Sequence, residues 1–361
     1  MKLKTTFVAA ALAATIGAQA QAEENWTMTT TWPSSLELIE MDRHFVDLAN
    51  KLTKGELTIE FYDGGSLVPA GEVFGAVESG TIQAGGDWPG YWAGRDSAFS
   101  PLATTASLFN AIDYVNWIQS WGGAELYNEI YGKFGMVYLP YGVTNNESGF
   151  RTNVPITSLA DLQGKRLRLS GLEQGRLLEQ LGGSQVSMAG GEIYQALERG
   201  VIDGAEFSTP NVDWSGGFQQ VTKYWATPGW HQSASMFGVM INKQAWDALS
   251  PETQEKLKIA ADASLLWSLA FTEKRATEAY AQFQDAVEIN RYDDETLAKV
   301  QEMANAVIEQ TACENPNSAK VYLSMLEYLA DYAKWRDASA PFNLGRTPNG
   351  PDIEKVRACA G

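Results

Sequence analysis

From Leu36 to Leu52 apolar side chains recur every three or four positions, at Leu38, Met41, Phe45, Leu48 and Leu52. That is the period of a helix that buries one face. The flanking segments read differently. Trp26 to Trp32 is rich in threonine and favours a strand, which Pro33 and two serines end. Leu57-Thr-Ile-Glu-Phe61 alternates apolar and polar with the period of two expected of a half-buried strand. Strand, helix, strand is the opening of an α/β domain.

The pattern then repeats. Gly71-Glu-Val-Phe-Gly-Ala-Val-Glu-Ser-Gly-Thr-Ile82 returns 120 positions later as Gly191-Glu-Ile-Tyr-Gln-Ala-Leu-Glu-Arg-Gly-Val-Ile202. Each copy predicts a short amphipathic helix, a stop at Gly80 or Gly200, and a buried strand. Two similar α/β lobes are therefore expected. Open α/β sheets take ligands beyond the carboxyl ends of their strands. Those ends carry Gly85-Gly-Asp-Trp88 in one lobe and Ala205-Glu-Phe-Ser208 in the other, which directs Trp88 and Glu206 toward one cleft.

Further along, Ser158-Leu-Ala-Asp161 reads as a capped turn and Lys165-Arg-Leu-Arg-Leu169 as a strand with Arg166 and Arg168 on one face. Phe237-Gly-Val-Met-Ile241 is another strand. Ser250-Pro251-Glu252 is a helix start, with serine as N-cap. No proline or glycine follows until after Asp285, so this helix, single or kinked, is long enough to cross both lobes. The segment from Ser318 to Trp335 also reads as helix. No low-complexity linker appears, so the lobes are expected to exchange strands. The predicted organisation is a first lobe of 23–147 with 236–270, a second of 148–235 with part of 271–310, and a helical tail over 311–361.

Composition narrows the function. The chain has 361 residues, 45% of them hydrophobic, enough for about two domains. Its net charge of −17 argues against nucleic acid as a partner, because phosphate backbones need a basic footprint. Lys2 and Lys4 precede an apolar run, Phe7 to Ile16, and two overlapping Ala-x-Ala sites. That predicts a signal peptide over 1–22 and export to an oxidising compartment. There Cys313 and Cys359 can pair, a bridge worth roughly 4 kcal/mol by loop entropy.

Catalytic motifs are scarce. No G-x-S-x-G, phosphate loop or G-x-G-x-x-G stands in the right context. With no CxxC or HExxH, an ordinary zinc site is not expected, and any metal would need oxygen ligands. His44 lies on a helix face, and His231, following Trp230 in an aromatic loop, reads as packing. The 44 acidic residues keep a pair of glycosidase carboxylates open. Binding features are clearer. Glu206 follows the small residues Gly204 and Ala205, Trp88, Tyr91 and Trp92 cluster after the matching strand, and a buried Arg168 would need a carboxylate partner.

These residues carry a family resemblance. The signal peptide, Lys165-Arg-Leu-Arg-Leu-Ser-Gly171, the segment Gly190 to Glu206, Pro228-Gly-Trp230 and the segment Val239 to Glu252 resemble the solute-binding proteins of tripartite ATP-independent periplasmic (TRAP) transporters. The chain is most similar to the branch that binds 2-oxo and 2-hydroxy monocarboxylates with a metal cation. The resemblance implies a bilobal α/β fold with a central cleft and a bridging helix, and a periplasmic binding protein rather than an enzyme. It implies that Arg168 pairs with the substrate carboxylate, and that Trp88 and Tyr91 face the substrate. It implies a sodium or calcium ion held by Glu206, Gln232 and the carbonyl of Phe207, with Glu206 and Phe207 also touching substrate. Asn146 takes the place of an amide before Phe150-Arg151, with Glu147 as the alternative. The implied partners are a small organic acid and membrane permease subunits, and a homodimer is allowed. The competing readings are a secreted glycoside hydrolase and an ABC-type binding protein for another solute.

Overall fold

In a computed structural model of the protein, which describes residues 23–339, the opening pattern folds as its periods require. Strands β1 (Glu24–Thr30) and β2 (Leu57–Tyr62) run parallel, joined by the helix Glu40–Leu52, which buries Met41, Phe45, Val46 and Ala49. The remaining strands are β3 (Ala84–Asp87), β4 (Met136–Thr144), β5 (Phe150–Thr152), β6 (Arg166–Arg168) and β7 (Ser184–Val186), followed by β8 (Gly204–Ala205), β9 (Tyr224–Thr227), β10 (Ser235–Asn242) and β11 (Glu288–Arg291). They form two sheets, ordered β2-β1-β3-β10-β4 and β11-β9-β5-β8-β6-β7.

The lobes do exchange strands. The chain leaves the first sheet after β4, builds most of the second, and returns as β10, which lies antiparallel between β3 and β4. It then crosses back along the helix Pro251–Ala286 and ends in β11, parallel to β9. That helix has 36 residues, roughly 54 Å at 1.5 Å per residue. Ser250 Oγ caps it by accepting from Thr253 N at 3.1 Å. Near its start Ser264 meets His44, and Ser268 Oγ accepts from Val143 N in β4. Near its end Phe283 packs edge-on against Trp214 and Trp225 of the second lobe.

The internal echo is structural. The helices Val73–Glu78 and Ile193–Glu198 occupy equivalent stretches and lead into β3 and β8. Both units turn at a glycine in the left-handed region, Gly80 at φ +74° and Gly200 at φ +67°. A side chain at either would be strained.

Two helices, Asp294–Glu314 and Pro316–Ser339, brace the back of both lobes. Tyr322 OH donates to Glu173 of the helix Leu172–Gln180, and Trp117 Nε1 donates to Ser324 Oγ. Cys313 is exposed, and no disulfide is present among the described residues. The pairing expected with Cys359, and the signal peptide over 1–22, lie outside them.

Candidate functional site

The two strand ends meet as the alternation predicts, but at different depths. Arg166 and Arg168 share a face of β6. Arg166 is half exposed and pairs with Asp203, whereas Arg168 is buried against Glu206. Arg168 Nη1 donates to Glu206 Oε1 at 2.8 Å and to the Glu206 carbonyl at 3.0 Å. Its Nε and Nη2 donate to the Met188 carbonyl, and the guanidinium lies over the Phe207 ring at 5.0 Å. The backbone of β8 continues the match, with Glu206 N donating to Arg168 O at 3.0 Å.

The far side of Glu206 is built by three loops locked through their main chains. Glu147 N donates to Gln232 O, Gly229 N to Glu147 O, and Ser148 N to Ser208 O, all within 3.1 Å. Glycine makes this approach possible. A Cβ at Gly229 would stand 2.5 Å from Glu147 O, and one at Gly149 would stand 2.2 Å from Ala226 O. The result brings His231 Nε2 to 3.5 Å from both Glu147 Oε2 and Glu206 Oε2. Phe150 stacks on the imidazole, and Gln174 Nε2 holds the His231 carbonyl at 3.0 Å. The Gln232 amide, turned so that its nitrogen faces the carboxylate, donates to Glu147 at 2.8 and 3.2 Å.

All of these groups are buried, so their charges interact strongly. Burial pushes the Glu147 carboxyl up to about 8. Burial acts on Glu206 in the same sense, but the Arg168 guanidinium and His231 hold it below the usual carboxylate range. Burial disfavours the His231 imidazolium, yet the two carboxylates overcome it and lift the ring to about 9.

The first lobe closes over this floor. Trp88, Tyr91, Leu38 and Phe237 form one wall of a cavity of about 240 Å³, and Glu147, Ser170, Phe207, Ser208 and Gln232 form the other. Trp88 and Tyr91 meet edge-on at 5.0 Å between ring centroids. Glu206 sits behind this wall, accepting from Ser170 N at 2.7 Å through the oxygen that also meets Arg168. Its other oxygen has no hydrogen-bond partner, and neither ring nitrogen of His231 has one. Such orphaned buried acceptors fit a cation, with Glu206, Gln232 and Glu147 offering side-chain oxygens to it.

One expected residue is misplaced. Asn146 lines an outer groove with Ser107 and Pro228, and its Nδ2 donates to the Glu147 carbonyl. The loop turns between these neighbours, so Glu147 faces the cavity in its stead. His231 was expected to pack and instead joins the two glutamates. Its sequence signal was its place between Trp230 and the expected ligand Gln232. Arg151 stays behind the site, paired with Asp213 at 3.0 Å and flanked by the rings of Trp225 and Phe283.

A sequence profile of bacterial extracellular solute-binding proteins, family 7, matches residues 28–315. A monocarboxylate 2-oxoacid-binding periplasmic protein of Nostoc sp. is 29% identical over 298 residues, covering 82% of each chain. A TRAP transporter solute-binding protein of Bordetella bronchiseptica, a mixed-occupancy dimer with copurified calcium and picolinate in one site, superposes with a TM-score of 0.84. It is 27% identical, and the match covers 94% of this chain and 99% of that one. A TRAP periplasmic solute-binding protein of Pseudoalteromonas atlantica, with bound sodium and pyruvate, shares the fold with a TM-score of 0.83. It is 24% identical, over 90% of this chain and 99% of that one. With the family profile running from β1 to Asn315 and the same two-sheet fold in these relatives, the chain belongs to the bacterial extracellular solute-binding proteins of family 7, the TRAP receptors, which bind solutes and are not enzymes.

Proposed function

We propose that this receptor captures a small 2-oxo or 2-hydroxy monocarboxylate together with a cation in the cavity between its lobes, and delivers it to membrane permease subunits. The observation that carries the reading is the buried Arg168–Glu206 pair at the floor of a cavity of about 240 Å³ walled by aromatic side chains. That volume suits an acid of a few carbons. Arg168 is the group for the ligand carboxylate, since a guanidinium holds carboxylates through two donors. Trp88 and Tyr91 cover the apolar end.

The cation answers a charge problem. An organic anion entering beside Glu206 and Glu147 meets a single arginine, and burying that imbalance is costly. A sodium or calcium ion held by Glu206, the Gln232 amide oxygen and the Phe207 carbonyl would offset it. An oxygen on the carbon next to the carboxylate lets the ligand chelate that ion, which selects 2-oxo and 2-hydroxy acids. The similarity to the 2-oxoacid-binding relative and to the relative with calcium and picolinate supports this reading. The signal-peptide pattern over 1–22 supports a periplasmic location, and we propose the lobe boundaries given by the sequence.

A thermal-shift panel tests the ligand class. Pyruvate and lactate with calcium should raise the melting temperature, because a ligand at a hundred times its Kd stabilises by about 2.7 kcal/mol. Shifts with dicarboxylates or sugars alone would overturn the assignment.

A further inference from the structure

The composition pointed to an all-oxygen cation site, yet the fold places one of the two histidines inside it. His231 Nε2 stands 3.5 Å from Glu147 Oε2 and 3.5 Å from Glu206 Oε2, and one ligand atom from each of the three residues lies within 4.8 Å of the others. A hydrogen bond to a carboxylate runs about 2.7–3.2 Å, so 3.5 Å is too long for a strong one. It is instead the spacing of two ligands that share one ion at about 2.0–2.2 Å from each.

The free valences agree. Glu206 Oε2 and both nitrogens of His231 are buried without hydrogen-bond partners. The ring is held by Phe150 stacked on it, at 5.5 Å between centroids, and by Trp230 edge-on at 5.7 Å. Glu206 is fixed through its other oxygen by Arg168 and Ser170, and Glu147 through its other oxygen by Ser235 at 3.0 Å. Three donors are thus held by neighbours with one atom each left facing the others.

We propose that His231 is a direct metal ligand and that, with Glu147 and Glu206, it makes this a site for a divalent transition-metal ion of the manganese, cobalt or zinc class. Imidazole suits such ions and is a poor ligand for sodium or calcium. Two carboxylates match the double charge. The proposal rests on the reading of this cavity as a cation-assisted acid site, and changes which ion fills it and which side chains hold it.

The test uses the full-length mature protein, stripped with chelator and loaded with one equivalent of manganese. Pulsed EPR compares protein grown with ordinary histidine and with 15N-histidine. The account expects a nitrogen coupling to manganese that changes with the label, and His44, on the far face of the helix Glu40–Leu52 against Trp267, does not confound it. Titration of His231→Asn should then show manganese affinity falling at least tenfold more than calcium affinity. No label-sensitive coupling, or equal losses for both ions, overturns the proposal. If calcium supports acid binding while manganese shows no nitrogen coupling, this inference fails and the proposed function stands. If the coupling is present and no acid binds, the metal site stands and the proposed ligand class fails.

Discussion

Arg168 makes contacts that a lysine could not reproduce. Its fork reaches the Glu206 carboxylate, the Glu206 carbonyl and the Met188 carbonyl at once. Truncation to alanine would leave Glu206 buried without its cation, a loss on the order of 3–5 kcal/mol that mixes folding with binding. Arg168→Lys separates them, because charge is kept and geometry is lost. Calorimetric titration with the best acid should show affinity falling at least tenfold, with secondary structure by circular dichroism unchanged. Unaltered affinity would make Arg168 a structural residue only. Arg168 and Glu206 were legible in the sequence because strand period and small neighbours are local signals. Asn146 was placed wrongly and His231 undervalued for a different reason. Which of two adjacent loop residues faces inward depends on the glycine contacts at Gly149 and Gly229, and these form only when distant loops meet.

At the scale of elements, the helix–glycine–strand unit was readable to the residue, since both copies share the same caps and strand starts. What the pattern could not show is how the first copy is plugged. Asp42, on the helix Glu40–Leu52, is fully buried against β3, where a Cβ at Gly86 would come within 1.8 Å of its Oδ1. Tyr141 donates to the same carboxyl. Burial lifts this acid to about 7, against about 3.9 in an unfolded chain. The native state therefore holds the proton more tightly than the unfolded state does. The stability this gives is full below about pH 4 and drains as pH rises toward 7. Asp42→Asn removes the titration and keeps the acceptor. Denaturant unfolding at several pH values between 5 and 7.5 should show the variant gaining on the wild type by up to about 1.4 kcal/mol per pH unit. A constant difference would mean that Asp42 stays ionised throughout.

The whole molecule is drawn with its lobes closed. Leu36 and Pro33 of the first lobe sit against the backbone of Gly190, Gly191 and Gly216 in the second. At the rim, Glu37 ties three elements together. Its carboxylate accepts from Arg275 Nε of the long helix at 2.6 Å and from Asn211 Nδ2 of the second lobe at 2.8 Å. Hinge closure between lobes is a common route to sequestering a ligand. Contacts made only in the closed form should favour binding by about 0.2–1 kcal/mol each at this partly exposed rim. Glu37→Ala should accordingly weaken acid binding about two- to tenfold and raise the radius of gyration of the liganded protein in solution scattering. Tighter binding by the variant would show that the rim contacts oppose closure. The two-lobe plan and the bridging helix were legible from the echo and from the uninterrupted segment after Ser250. The rim contacts were not, because Glu37 and Arg275 are ordinary surface charges until the lobes meet.

The central claim is that acid and cation bind together on the floor formed by Arg168, Glu206 and Glu147. Isothermal titration of pyruvate into the chelator-stripped protein, in a sodium-free buffer and again after one cation is restored, tests it most directly. The account predicts no measurable heat of binding in the stripped protein and one site per chain once calcium or manganese is returned. Equal affinity in the two conditions would contradict it.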